Sequence, residues 1–215
     1  MDSNASPTRL TDRKRAAIVG AAIDEFLSAG YDATSMDRIA ASAQVSKRTV
    51  YNHFPSKEAL FAAILHRLWD STRAGDAAVY RADAPLRGQL IDLLMRKLRL
   101  LSDDTFLSLV RVAIAAAIHS PERAREMVSR LGEREEDLGA WIRAAASDGR
   151  LRVDDPRFAS EQLQGLVKSF AFWPQVAMGQ PAVAAGPAQR ALAESAADMF
   201  LARYAPGSAV QDAQD

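Results

Sequence analysis

Apolar residues return along this chain every three or four positions, and no stretch alternates strictly, so helices are expected throughout and strands nowhere. A first helix is predicted over about Asp12 to Ser28, with Ile18, Val19, Ala22, Ile23 and Phe26 as its stripe, Thr11 or Asp12 as cap and Gly30 as its end. Two short helices follow, capped by Thr34 or Ser35 and by Ser46; Asp37, three residues after Thr34, has capping-box spacing. Ser56 caps a fourth helix that the pattern carries to about Val79. Pro85 opens a fifth, with Leu86, Leu90, Leu93, Leu94 and Leu98 on its apolar face. Asp103 or Asp104 caps a sixth that ends at Ser120, Pro121 starts a seventh that Gly132 interrupts, and an eighth covers roughly Glu133 to Ser147. Asp155 and Pro156 begin a ninth that reaches about Met178, where Pro174 should kink it near Phe170, and Pro187 starts a tenth that ends near Tyr204. The predicted fold class is all-α, short helices first and longer ones after.

The two short helices carry the most specific pattern. Ile39, Ala40 and Ala43 face inward from the first of them, Val45 plugs the turn and Val50 faces inward from the second. Ala40 suits the point where two steeply crossed helices come closest, as in a helix-turn-helix. With Val50 inside, the second helix presents Lys47, Arg48, Tyr51 and Asn52 outward, flanked by Thr49 and His53. Lys and Arg donate to guanine O6 and N7, Asn pairs with adenine, and Thr reaches a base or a thymine methyl. Tyr51 and His53 are long enough to reach phosphate and sugar. Thr34, Ser35, Ser46 and Lys57, at helix starts nearby, offer hydroxyls, a cation and free N–H groups to phosphates.

Composition narrows the alternatives. Lys plus Arg equal Asp plus Glu at 27 each, but between residues 9 and 57 eight cations face five anions, a net +3 that permits DNA binding without demonstrating it. The absence of Cys excludes disulfides and thiolate metal sites. His53, His66 and His119 are not at metal-ligand spacing, and no phosphate loop or nucleophile elbow is present, so no metal, no cofactor and no enzymatic activity are expected. No apolar run is long enough to span a membrane and the N-terminus has no secretory signal, which makes a cytoplasmic protein the expectation.

The run from Gly30 to Leu60, GYDATSMDRIAASAQVSKRTVYNHFPSKEAL, closely resembles the N-terminal domain of the TetR family of transcriptional regulators, and the resemblance extends over about Arg13 to Leu65. Thr34, Ile39, Ala40, Ala43, Val45, Ser46, Tyr51, His53, Phe54, Lys57, Glu58 and Leu60 fall where that family's pattern has them. Gln44 stands where the family usually has Gly, at a position that often takes a left-handed backbone. The polar ends read as a disordered arm over residues 1–10 and a mobile tail over 206–215, and the resemblance implies a helix-turn-helix DNA-binding domain over 11–56 and a ligand-binding and dimerisation domain over 57–205. It also implies a homodimer on double-stranded DNA at a palindromic operator, with a small-molecule effector in a C-terminal pocket and two helices per subunit in the dimer seam. Candidate pocket residues are His66, Trp69, Phe106, Val110, Arg111, Ile114, Trp141 and Phe172; Arg111 sits in an otherwise apolar helix, where burial would demand a partner such as a ligand carboxylate.

The last two helices are apolar on more than one face, which calls for burial either in their own domain or against a partner. A dimer seam is the expectation, formed by Leu163, Val167, Phe170, Trp173, Leu192, Ala196, Met199 and Phe200. The expected function is a repressor released from its operator by a ligand. The alternatives are an activator or ligand-independent DNA-binding protein of the same fold, or a helical small-molecule binding protein that has lost DNA binding.

Overall fold

The computed structural model describes residues 7–71, 79–118, 120, 122, 125 and 137–207. Its regular elements are all helices: α1 (Pro7–Ala33), α2 (Met36–Ser42), α3 (Lys47–His53), α4 (Lys57–Ser71), α5 (Leu86–Leu100), α6 (Asp104–Ile118), α7 (Asp137–Ser147), α8 (Pro156–Ala171), α9 (Trp173–Met178) and α10 (Pro187–Tyr204). No described helix is long and apolar enough to cross a membrane. The expected seventh helix, the end of the fourth beyond Ser71, and His119 lie outside the described residues, apart from Glu122 and Arg125, which are helical.

Local chemistry explains most of the boundaries. Ser35, Ser46 and Asp155 cap α2, α3 and α8 by accepting from the N–H groups of Arg38, of Thr49, and of Arg157 and Phe158. Asp103 Oδ1 accepts from Phe106 N–H at 2.7 Å at the start of α6. Helix α1 starts at Pro7, earlier than expected, with a proline where its missing N–H costs nothing. Gly30 interrupts its last turns at φ 79°, a conformation that a side chain would strain.

The expected ninth helix is two helices. Pro174 has no N–H to give and its ring would crowd the carbonyl of Phe170. The chain therefore leaves helical geometry at Phe172 (φ −121°, ψ −65°) and restarts, so that Pro174 lies in the first turn of α9.

The chain divides into two compact units. The first holds residues 1–68 and 108–133, the second 69–107 and 134–215. In the first, Ile18, Val19, Ala22 and Phe26 of α1 are buried, as are Ile39, Ala40, Val50, Phe54, Leu60, Phe61, Ile64 and Leu65. Phe26 stacks on Tyr31 at 5.6 Å, and Phe61 stands edge-on to both at 4.9 and 5.4 Å.

The second unit is built around α5. Leu90, Leu94 and Leu98 join Trp141, Ile142 and Ala145 of α7, Leu163 and Val167 of α8, and Ala193, Ala196, Ala197 and Phe200 of α10 in one core. At its surface Arg87 pairs with Asp198 through two hydrogen bonds of 2.6 and 2.9 Å, tying α5 to α10. Arg150 donates to the carbonyls of Arg81, Ala82 and Ala84 and so holds the segment that leads into α5.

Four residues expected in a dimer seam lie inside the subunit. Leu163, Val167, Ala196 and Phe200 are buried within the unit's own core. A helix that is apolar all round does not reveal which side its own domain takes, and in α8 that side is the one carrying Ala159, Leu163 and Val167.

Candidate nucleic-acid interface

The turn between α2 and α3 is closed by the backbone. Gln44 adopts φ +54°, Gln44 N–H donates to Ala41 O at 3.1 Å, and Val45 N–H donates to Ala40 O at 3.0 Å. This is a Schellman ending, in which a left-handed residue satisfies the last carbonyls of a helix. Gln44 is thus held in the left-handed conformation expected at its position. Val50 is 0% exposed and fastens α3 to the unit.

With Val50 inside, α3 turns Lys47, Arg48, Tyr51 and Asn52 to solvent; Tyr51 is 44% exposed. Thr49 and His53 are half-buried at the edges. The Ser46 and Thr49 hydroxyls share a hydrogen bond of 2.8 Å, and Ser46 Oγ also accepts Thr49 N–H at 3.1 Å. Ser35 is exposed at the start of α2, where its oxygen accepts Arg38 N–H at 3.2 Å and its own proton remains available to a phosphate. Two cations, an amide, a phenol and hydroxyls therefore share one surface, which is the chemistry of base edges flanked by phosphates.

Lys47 is not idle in the free protein. Its Nζ lies 2.9 Å from Asp37 Oδ1, and the hydrogen bond and charge of Asp37 raise its pKa above 10.5. Both side chains are exposed, so the pair is in competition with water and salt. Arg15 of α1 lies over the Phe54 ring at 5.1 Å.

Two residues expected at phosphates turn inward instead. Thr34 is 2% exposed, and its hydroxyl lies 2.7 Å from Gly30 O and 3.0 Å from Glu25 O. Its side chain ties the end of α1 to the start of α2. Lys57 Nζ donates to Tyr31 O at 2.8 Å and Thr34 O at 2.9 Å, over the Tyr31 ring at 4.3 Å. Its ammonium substitutes for water on carbonyls that no helix satisfies. Beside it, Tyr31 Oη donates to Glu58 Oε1 at 2.8 Å. Burial pushes the Glu58 carboxyl up, but hydrogen bonds from its own backbone N–H, Tyr31 and Ser56, with the charge of Lys57, outweigh this and leave it below its ordinary value.

The expected pocket residues are divided between the two units. His66, Val110, Arg111 and Ile114 belong to the first unit, and Phe106, Trp141 and Phe172 to the second. Arg111 is exposed, so the argument from a buried charge does not apply to it. The Trp69 side chain lies outside the described residues. Trp141 is buried in the second core and its Nε1 donates to Gln89 Oε1 at 3.2 Å, while Phe106 and Phe172 pack at the edge of that core. Of the expected seam, Phe170 (63% exposed), Trp173 (48%) and Met199 remain outside, and Leu192 is half-buried. Arg96, buried in α5, is not among the expected site residues; its sequence signal is an Arg-Lys pair in a helix with apolar residues on nearly every side. Among the described residues no group of His, Asp and Glu could hold a metal ion.

Comparison with known proteins accords with this geometry. A family model described as bacterial regulatory proteins, tetR family, matches residues 18–64. A second, described as AefR-like transcriptional repressor, C-terminal domain, matches residues 88–206. The HTH-type transcriptional regulator RutR of Escherichia coli O157:H7 is 28% identical over 172 residues, 79% of each chain. Among solved structures, a TetR family transcriptional regulator from Pseudomonas syringae pv. tomato str. DC3000 is 52% identical with a TM-score of 0.72, covering 91% of this chain and 98% of that one. The flavonoid-responsive regulator FrrA is 30% identical with a TM-score of 0.71, covering 91% of this chain and 99% of its own.

Proposed function

The chain belongs to the TetR family and is a DNA-binding transcriptional regulator, and from that premise we propose that it is a dimeric repressor released from a palindromic operator by a small molecule. The observation that carries the proposal is the outer face of α3, where Lys47, Arg48, Tyr51 and Asn52 stand exposed over an anchored Val50. Lys47, Arg48, Thr49 and Asn52 are assigned to base edges, and Ser35, Ser46, Tyr51 and His53 to the backbone of the duplex. Two such helices on a two-fold dimer would read half-sites about 34–36 Å apart. The repressor reading draws support from the C-terminal family description, and a small-molecule effector from FrrA, a relative that responds to flavonoids.

Phe170, Trp173 and Met199 support self-association, because large apolar side chains left in water favour a partner surface. Release follows if the C-terminal part has two states that set different spacings of the recognition helices, and the effector prefers one of them. The ligand then lowers operator affinity by its differential affinity for the two states. The start of α4 follows directly on α3, which makes α4 the candidate lever.

Fluorescence anisotropy with duplexes from the region upstream of its own gene tests the reading. The expected result is saturable, sequence-dependent binding that Tyr51→Ala with His53→Ala weakens by about tenfold or more, as the loss of contacts worth roughly 1.4 kcal/mol does. Unchanged binding by that double variant would reject α3 as the groove helix. Absence of binding to every duplex at low ionic strength would favour a helical binding protein without DNA activity.

A further inference from the structure

Helix α5 buries two successive cations, Arg96 and Lys97. The other buried polar residues of the second unit are Ser160, Gln164, Gln175 and Gln189, and no carboxylate is among them in the described residues. Lys97 Nζ donates to Gln164 Oε1 at 2.8 Å, and Gln164 Nε2 in turn to Ser160 Oγ at 3.2 Å, so Lys97 has an acceptor on α8. Arg96 differs. It is 6% exposed, and neither Nη1 nor Nη2 meets a hydrogen-bond partner among the described residues.

A lysine in such a place can lose its proton; a guanidinium cannot. Its charge stays, and so does the cost of burying it. Packing alone does not account for Arg96, because Leu or Met would fill the same space without a buried charge. Helical register places Arg96 two turns beyond Gln89, on the side of α5 that also carries Leu93 and, one turn further, Leu100. Gln89 at the start of that side is the acceptor for the Trp141 indole. The side thus carries Leu93 and Leu100, with a fixed amide and indole at one end, a guanidinium near the other and the solvent-exposed Asp92 one turn before the guanidinium.

We infer that Arg96 anchors the acidic group of the effector, and that the effector is an organic monocarboxylate with an apolar body. Two parallel N–H donors of a guanidinium match the two oxygens of a carboxylate, and one fixed positive charge is balanced by one negative charge. The leucines on the same side suit the remainder of such a molecule. The inference rests on the ligand-released reading above and names the chemistry of its effector.

Calorimetric titration of the purified full-length protein tests it, with octanoate and benzoate as probes, each beside its neutral twin, octanamide or benzamide. At least one acid should bind about tenfold or more tightly than its amide, the discrimination expected of a charge-assisted pair. Arg96→Gln should lose that preference, and Arg96→Lys should keep part of it. Equal binding of acid and amide, failure of both acids to bind, or an Arg96→Gln variant that binds the acid as well as the parent overturns the inference. Arg96→Met supplies a readout that needs no ligand. The ligand-free variant should melt at a higher temperature, because a buried charge has gone; a fall of several degrees would mean that the guanidinium serves the fold, and would also overturn the inference. Repeating the titration with operator duplex present separates the two readings. Acids that bind through Arg96 but leave DNA bound overturn ligand release and uphold the anion site. Neutral compounds that release DNA equally well from the parent and Arg96→Gln do the reverse.

Discussion

Lys47 is paired with Asp37, 2.9 Å away, and on the function proposed above it must give up that partner to reach DNA. Removing that carboxylate frees the cation and takes a negative charge off the surface that meets phosphate. Asp37→Asn should therefore tighten binding, by up to about fivefold for an exposed pair, and the gain should shrink as salt is added. Anisotropy titrations at low and physiological ionic strength measure both effects. Gln44 holds φ +54° in the turn, where glycine would carry no side-chain penalty. Gln44→Gly should raise the melting midpoint by about 2–4 °C, the shift expected for roughly 1 kcal/mol, as read by circular dichroism. The conformation of Gln44 was expected from the resemblance to a family that usually has Gly at that position. The inward turn of Thr34 and Lys57 was not. Their partners are backbone carbonyls as far as 26 residues away, and residue type alone gives no sign of them.

At the level of elements, helix starts were legible wherever a side chain of the cap itself does the work, as at Ser46 and Asp155. The inner side of α3 was legible because a single apolar residue, Val50, stands among polar ones. In α8 and α10 the pattern carries too many apolar positions to define one side, so core and surface were merged in the sequence reading. The junction of α1 and α4 has its own acid sensitivity. Glu58 is held below its ordinary value of 4.5, so its charged form is favoured by folding. Its contribution is fully present above about pH 4.5 and is lost as pH falls from there through the folded value. Glu58→Gln should flatten the decline in melting temperature below about pH 4.5 and leave its slope near neutrality unchanged, in a series of thermal melts across pH.

For the whole molecule, the exposed and buried members of α8, α9 and α10 make different predictions. Phe170→Glu with Trp173→Glu removes apolar surface that lies largely outside the unit's own core, so the subunit should stay folded while the proposed dimer dissociates. Sedimentation velocity should show a monomer, and operator binding should weaken together with its salt dependence, since one half-site neutralises about half the phosphates. Leu163→Ala should instead destabilise the subunit by about 2–5 kcal/mol, as a cavity in its core does. A double variant that stays dimeric would mean that self-association uses another surface.

The anchoring of α3 has a practical corollary. Its grip on the subunit runs through the buried Val50, and the Ser46 hydroxyl caps its start, while Arg48, Tyr51 and Asn52 stand exposed and Lys47 adds only a solvent-exposed pair with Asp37. On the function proposed above, those four positions form an address label that can be rewritten without rebuilding the envelope. Transplanting another regulator's outward residues onto them should then send this subunit to a different promoter.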